Sequence, residues 1–240
     1  MAGPKRLVLF VEGDGDRDAV PILIRQLLTE RSAWEHLFLD PNPFVVGNVA
    51  DITKGSGKDW TRYLQAVQQR KNLGAVLLLW DGESDTIRKE PFCAGRFAAR
   101  LAEWSRTVGA GIGFSVACVF VCQEYESWFL ACVSELAGQQ MSDGRDGVKP
   151  GALPPGGDLE ISPRDAKKAL GSLMASGYKP TRDQAEMTRL MVNHLSSVRS
   201  KGLRSFQRLE KAVTELIEAN TTGQHLVSPI CAQPAQKKAT

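Results

Sequence analysis

The sequence predicts an α/β protein built on a parallel sheet. Strand-like and helix-like patterns alternate through the first 137 residues. The strand-like stretches are near-continuous apolar runs, as expected for strands buried on both faces by crossover helices. Three of these runs also stop alike. Run 7–11 ends in Glu12-Gly13-Asp14-Gly15-Asp16, run 75–80 in Asp81-Gly82-Glu83-Ser84-Asp85, and run 114–121 in Cys122-Gln123-Glu124-Tyr125-Glu126. Open α/β sheets bind ligands at the carboxyl ends of their strands, where all three acidic clusters fall.

Each element follows from its pattern. Residues 6–11 form the first strand, and Asp16 is placed to cap a helix over 18–30 whose apolar face is Val20, Ile22, Leu23, Leu27 and Leu28. A second strand covers 44–49. A helix over 59–70 carries Trp60, Tyr63, Leu64 and Val67 at helical spacing. The third strand is 75–80, followed by a helix over 92–108 with Phe97, Leu101 and Trp104. The fourth strand is 114–121, followed by a helix over 126–137 with Trp128, Phe129 and Leu130.

Beyond this α/β core of residues 1–137, the stretch 138–163 is rich in Gly, Pro and Asp and reads as a long loop or insertion. A helical extension packed on the core is expected over 164–219. Its helices are 164–175, 183–198 (Met187, Leu190, Met191, Leu195, Val198) and 203–218 (Phe206, Leu209, Val213, Leu216, Ile217). The tail 220–240 shows neither pattern and is expected to be flexible.

With 240 residues, 42% apolar and 24% charged, the chain can bury a sizeable core. A net charge of +3 does not by itself imply a nucleic-acid partner, although residues 160–219 hold 11 Lys/Arg against 7 Asp/Glu. The apolar runs fall short of the ~20 residues a membrane span needs, and no secretory pattern leads the chain. Cys93, Cys118, Cys122, Cys132 and Cys231 form no CxxC pair and read as reduced core residues, so a cytoplasmic location is expected. His36, His194 and His225 lack zinc-ligand spacing.

Among the motifs, Asp81-Gly82-Glu83-Ser84-Asp85 is the strongest. Carboxylates at i and i+2 of an extended segment share one side and can share a cation, and acids so close repel one another without one. Glu12, followed by Gly13 and Gly15, is a candidate metal ligand or general base; the plainer reading makes it a solvated acid beside a helix cap. Glu124 and Glu126 begin a helix, where the dipole alone favours acids. Asp14-Gly15-Asp16-Arg17-Asp18 is not an EF-hand, because Ala19 and Arg25 stand where Gly and Glu are required. Lys54-Gly55-Ser56-Gly57-Lys58 is not a Walker loop, because Ile52 and Asp59 stand at its first Gly and its Ser/Thr. It reads as a basic loop whose lysines can touch phosphate. Arg164, Lys167, Lys168, Lys179 and Arg182 read as a solvated face, with nucleic-acid backbone contact as the alternative.

Together, Val11-Glu12-Gly13, the Asp81/Glu83/Asp85 turn and Glu124-Tyr125-Glu126-Ser127-Trp128-Phe129-Leu130-Ala131 resemble the Toprim fold. That fold is shared by topoisomerases, DnaG-type primases and OLD-family nucleases. More narrowly they resemble the Toprim-like proteins grouped as DUF4276, with Pro163, Lys167 or Lys168, and Tyr178-Lys179 standing for that pattern's later elements. The resemblance covers most of residues 5–218. It implies a Toprim-like parallel-rich sheet with flanking helices, and Mg²⁺- or Mn²⁺-dependent phosphodiester chemistry on DNA or RNA. Such proteins often stand in bacterial antiphage defence modules beside an ATPase partner. It further implies Glu12 as general base or acid, Asp81 and Glu83 as metal holders with Asp85 as a substitute, and Glu124 and Glu126 at a second metal. Lys54, Lys58, Lys167, Lys168 and Lys179 are the candidate nucleic-acid contacts. The usual Asp-x-Asp is Asp81-x-Glu83 here. The expectation is a metal-dependent nuclease, able to form oligomers. The alternative is a non-catalytic regulatory subunit docking an ATPase through its C-terminal helices. A receiver-like domain phosphorylated on Asp81 is disfavoured, since Cys122-Gln123 replaces the Ser/Thr it needs.

Overall fold

The structure, a computed structural model, describes residues 3–48, 52–82, 86–87 and 90–229. Its strands are β1 (Lys5–Val11), β2 (Leu37–Leu39), β3 (Phe44–Val45), β4 (Leu73–Asp81), β5 (Thr86–Ile87), β6 (Glu90–Pro91), β7 (Ser115–Val121) and β8 (Val227–Ser228). The α-helices, in chain order, are α1 (Asp14–Glu30), α2 (Lys58–Gln68), α3 (Ala94–Arg106), α4 (Glu126–Ala131), α5 (Val133–Leu136), α6 (Ala166–Leu173), α7 (Pro180–Met191), α8 (Leu195–Ser200) and α9 (Arg204–Thr222).

The expected α/β class is observed. The main sheet runs β2-β1-β4-β7-β8, with β3 also beside β1, and every pairing in it is parallel. Thus the first and third predicted strands are neighbours, with Phe10 opposite Leu78, and Asp81 lies opposite Val121 of β7. Successive side chains of a strand point to opposite faces. Leu9, Leu77 and Val119 therefore enter one core, while Val8, Leu78 and Cys118 enter the other. Both sets are buried, which is why these strands read as unbroken apolar runs.

One face is covered by α2 and α3 through Trp60, Leu64, Val67, Phe97 and Leu101. The other is covered by α1 and the C-terminal helices, with Leu23, Trp128, Leu170, Met187, Phe206 and Leu209 in one continuous cluster. Residues predicted as an extension thus share the core of the sheet itself.

Several boundaries differ from expectation. β2 was not expected, and β3 is shorter than the predicted 44–49. The helix predicted over 126–137 breaks at Cys132, whose backbone leaves the helical region at φ −118° and ψ 19°. The helix predicted over 183–198 begins at Pro180, since Pro is well placed in a first turn, and is interrupted by a 3₁₀ turn at Val192–His194. α9 runs on to Thr222 and closes at Gly223, φ 72°, the left-handed conformation glycine favours at a helix end. Val227–Ser228 then pairs with Val116 and Ala117 as β8. Too short to show a sequence pattern, it is held by burial and its neighbour.

The stretch 138–163 has irregular backbone but is packed. Met141, Val148 and Leu159 are buried, and short bridges join Val148 to Ala137 and Met174. Cys118 and Cys132 are buried as expected, whereas Cys122 is only half-buried and Cys93 is exposed where α3 begins; Cys231 lies outside the described residues. Among the described residues, no helix is long and apolar enough to cross a membrane.

Candidate active site

Glu12 leaves β1 at its carboxyl end. The next residue, Gly13, is the N-cap of α1, and Asp16 in the first turn accepts a hydrogen bond from the Gly13 amide at 3.1 Å. Asp16 therefore does not cap a helix from outside as expected; the helix starts earlier, at Asp14, and Asp16 lies inside its first turn and bonds back to the N-cap amide. The other oxygen of Asp16 accepts from Gln184 Nε2 of α7 at 2.7 Å. The two helices meet at Gly15, where a β-carbon would strike Gln184 Oε1 and lie 3.1 Å from the Pro180 carbonyl carbon. Glycine lets the two helices approach this closely; a larger residue would push Gln184 aside and crowd the Pro180 carbonyl.

Asp81 ends β4. Its Oδ1 accepts from the Tyr125 amide at 2.9 Å and its Oδ2 from Lys167 Nζ at 3.2 Å. Lys167 also lies 3.1 Å from Glu124 Oε1, and its own amide donates to Glu124 Oε2 at 2.9 Å. Glu126 is fully buried at the start of α4. Its Oε1 accepts from the Tyr178 hydroxyl at 2.7 Å, and its Oε2 has no hydrogen-bond partner.

Glu12, Asp16, Asp81 and Glu126 line one cavity of about 240 Å³ together with Lys167, Thr181 and Gln184. The electrostatics follow from this crowding. Burial, with like charge from Glu126, Asp16 and Glu12, raises the Asp81 carboxyl well above its ordinary range despite Lys167. Burial pushes Glu126 up to about 7, opposed by Lys167 and the Tyr178 hydrogen bond. Burial raises Asp16 against its bonds to Gln184 and Gly13. The Tyr125 and Tyr178 hydroxyls are raised by burial and by the neighbouring acids, so both stay protonated donors.

Of the candidates named from sequence, Glu12, Asp81 and Glu126 come together on this cavity, and Glu124 stands behind it, tied to Lys167. Glu83 and Asp85 lie outside the described residues. Lys167 is not part of a solvated face: its ammonium turns in to two acids. Lys168 and Lys179 are exposed, with Lys179 at the N-cap of α7. Arg182 is exposed, as expected of a solvated face, and also pairs with the fully buried Asp183. Lys58 is exposed at the start of α2, which covers the other face; the Lys54 side chain lies outside the described residues. Sequence reading gave Asp16 only a capping role and did not see Gln184. Asp16 has the spacing of a first-turn acid four residues after Glu12, while nothing local marks Gln184, 168 residues from its partner.

Among the described residues, no group of three or more His, Cys, Asp or Glu side chains is set as a ready metal site. The acids share a cavity, and an ammonium already sits between two of them.

A family model described as a domain of unknown function, DUF4276, matches residues 11–214. In structure, the chain is similar to the C-terminal region of the Burkholderia pseudomallei OLD protein, with 13% identity and a TM-score of 0.43, over 89% of this chain and 98% of that one. No curated protein matches the chain in sequence.

Proposed function

The chain belongs to the DUF4276 family, and from that premise we propose that it is a Toprim-like, divalent-metal-dependent phosphodiesterase acting on DNA or RNA. The observation that carries the reading is that acids from three separate parts of the chain, Glu12 and Asp16, Asp81, and Glu126, line one small cavity at the strand ends. Keeping such groups together costs desolvation and mutual repulsion, so their gathering points to a positive ligand.

The donor set fits Mg²⁺ or Mn²⁺. All the candidate donors are carboxylate oxygens, which suit hard cations, and Glu126 brings a buried oxygen with no hydrogen-bond partner. Asp81 and Glu126 would hold the ion, with Glu83 or Asp85 in support. When bound, such an ion polarises a phosphoryl oxygen and eases formation of a hydroxide nucleophile. The chain's own residues do the rest. Glu12, half-buried at the cavity wall, is the candidate general base or acid. The Tyr125 amide and Lys167 fix the orientation of Asp81, and the Tyr178 hydroxyl fixes that of Glu126. Lys58, Lys168 and Lys179 are exposed candidates for backbone phosphate contact.

The test is cleavage of single- and double-stranded DNA and RNA by the purified chain, with and without Mg²⁺ or Mn²⁺. Metal-dependent cleavage is expected, with Glu12→Ala and Asp81→Ala each slowing it by about 10²-fold or more, the usual contribution of a positioned acid or base. Identical behaviour of wild type and both variants across metals and substrates overturns the proposal.

One observation favours a second reading. The Lys167 ammonium already pairs with both Asp81 and Glu124. In a non-catalytic subunit the acids would be a structural ion-pair cluster and the C-terminal helices the working surface, docked on an ATPase in a defence module. Stable co-purification with such a partner, without metal-dependent cleavage, would support that reading instead.

A further inference from the structure

Lys167 holds Glu124 by both oxygens at once. Its amide takes Oε2 at 2.9 Å, and its ammonium lies 3.1 Å from Oε1. The backbone half of this grip is fixed by α6, which Asp165 caps through the Lys168 amide at 2.8 Å and which Ala166 and Leu170 anchor in the core. The ammonium also lies 3.2 Å from Asp81 Oδ2, while Oδ1 is held by the Tyr125 amide. Every carboxylate oxygen of Asp81 and Glu124 therefore has a donor from the protein. On the same cavity, Glu126 Oε2 has none.

We infer that Lys167 is the resident cation between Asp81 and Glu124, so that this site accepts one divalent ion, on the side where Asp81 faces Glu126 across the cavity, rather than two. The inference rests on the metal-dependent reading above and deepens it. A tethered ammonium meets two acids at hydrogen-bond distance without the hydration cost a second Mg²⁺ or Mn²⁺ carries, because such ions shed water reluctantly. A second ion would have to displace a side chain whose backbone stays bonded to the same carboxylate. Lys167 thus sets how many ions bind, as a positioning residue acting through Asp81 and Glu124.

The experiment is isothermal titration of the chelator-stripped full chain with Mn²⁺, with circular dichroism confirming the fold of each variant. Wild type is expected to saturate at one ion per chain. Lys167→Met and Lys167→Gln, which remove the charge, should take a second ion, and Lys167→Arg, which keeps it, should remain at one. Glutamine retains a donor for Glu124 and serves if the methionine variant does not fold. Two ions bound by wild type or by Lys167→Arg overturn the inference, as does a single ion in the folded neutral variants. Failure of wild type to bind Mn²⁺ at all overturns this inference and the metal-dependent reading together. A wild type that binds one ion, with neutral variants also at one, overturns the inference alone.

Discussion

The two faces of the sheet are covered in different ways. The face under α2 and α3 is an apolar and aromatic layer: Phe10 meets Trp60 edge-on at 5.6 Å, and Trp80 stacks on Phe120 at 6.2 Å. Its polar groups are few, and the Trp60 indole N–H is satisfied by Leu101 O and Ser105 Oγ, both at 3.0 Å. The Trp80 indole N–H is an exception, buried without a partner. The other face, under α1 and the C-terminal helices, buries Glu124, Glu126, Glu160, Asp183, Gln184 and Thr188. Several of these hold elements in place. Glu160 accepts from the Ser205 amide at 2.6 Å and so closes the N-terminus of α9, whose own N-cap Leu203 has no side-chain cap. Asp183 is held by Arg145 at 2.7 Å, by Arg182 and by the Lys179 amide. One face is held mainly by packing; the other is packed as well but also buries polar groups that fix helix ends and orient the acids of the cavity.

If that contrast is right, packing matters equally on both faces, and only the electrostatics differ. Leu77 and Leu78 are adjacent in β4, fully buried, and point to opposite cores. Replacing either with Ala removes buried methylenes and leaves a cavity, at a cost of about 2–5 kcal/mol. Urea unfolding should place both variants in that range. A loss below about 1 kcal/mol for one of them would mean that its face is loosely packed and break the comparison.

A smaller effect separates the faces. The Glu126 carboxyl titrates at about 7 in the fold, against 4.5 ordinarily. A raised acid binds its proton more tightly folded than unfolded, so its contribution is fully present below the ordinary value and is lost as pH rises through about 7. Asp81 and Asp16 are also raised and act in the same direction. Glu160 and Asp183 are lowered, because hydrogen bonds from Ser205 and Arg204, and from Arg182 and Arg145, outweigh their burial. Their contributions are therefore lost only in acid, below the ordinary carboxylate range. Chelator-treated wild type should lose on the order of 3 kcal/mol between about pH 5 and 8 on account of Glu126, at the usual conversion per pH unit. Glu126→Gln should show a shallower slope across the same window. Parallel stability–pH curves for the two proteins would mean that Glu126 is not the buried acid responsible.

The same contrast explains what could be read from sequence. The apolar face and the central strands were legible because burial writes itself into composition and period: Trp60, Leu64 and Val67 repeat at helical spacing, and β4 is an unbroken run. Glu12, Asp81 and Glu126 were legible because each follows such a run. β2 and β8 were not, since three and two residues hold no period and depend on a neighbouring strand. The inward turn of Lys167 was hidden for a different reason. A lysine among lysines looks solvated unless the acids it meets, 43 and 86 residues earlier, are known to be its neighbours. Gln184 was hidden in the same way.

The smallest expected difference compares two buried hydroxyls that bond back along their own helices. Ser105 Oγ donates to Leu101 O at 2.7 Å on the apolar face, and Thr188 Oγ1 donates to Gln184 O at 2.8 Å on the other. In Ser105→Ala the Trp60 indole keeps Leu101 O, so no buried donor is stranded and the cost should be about 1 kcal/mol or less. In Thr188→Val the buried Tyr125 hydroxyl loses its partner at 3.3 Å, which should cost about 1–3 kcal/mol, the usual penalty for an unsatisfied buried group. The Tyr125 amide holds Asp81, so Thr188→Val should also weaken Mn²⁺ binding, whereas Ser105→Ala should leave it unchanged. Thermal unfolding and Mn²⁺ titration of the two variants measure both effects. Equal losses of stability with equal metal affinity would show that the polar face is no more committed to the strand-end cavity than the apolar one.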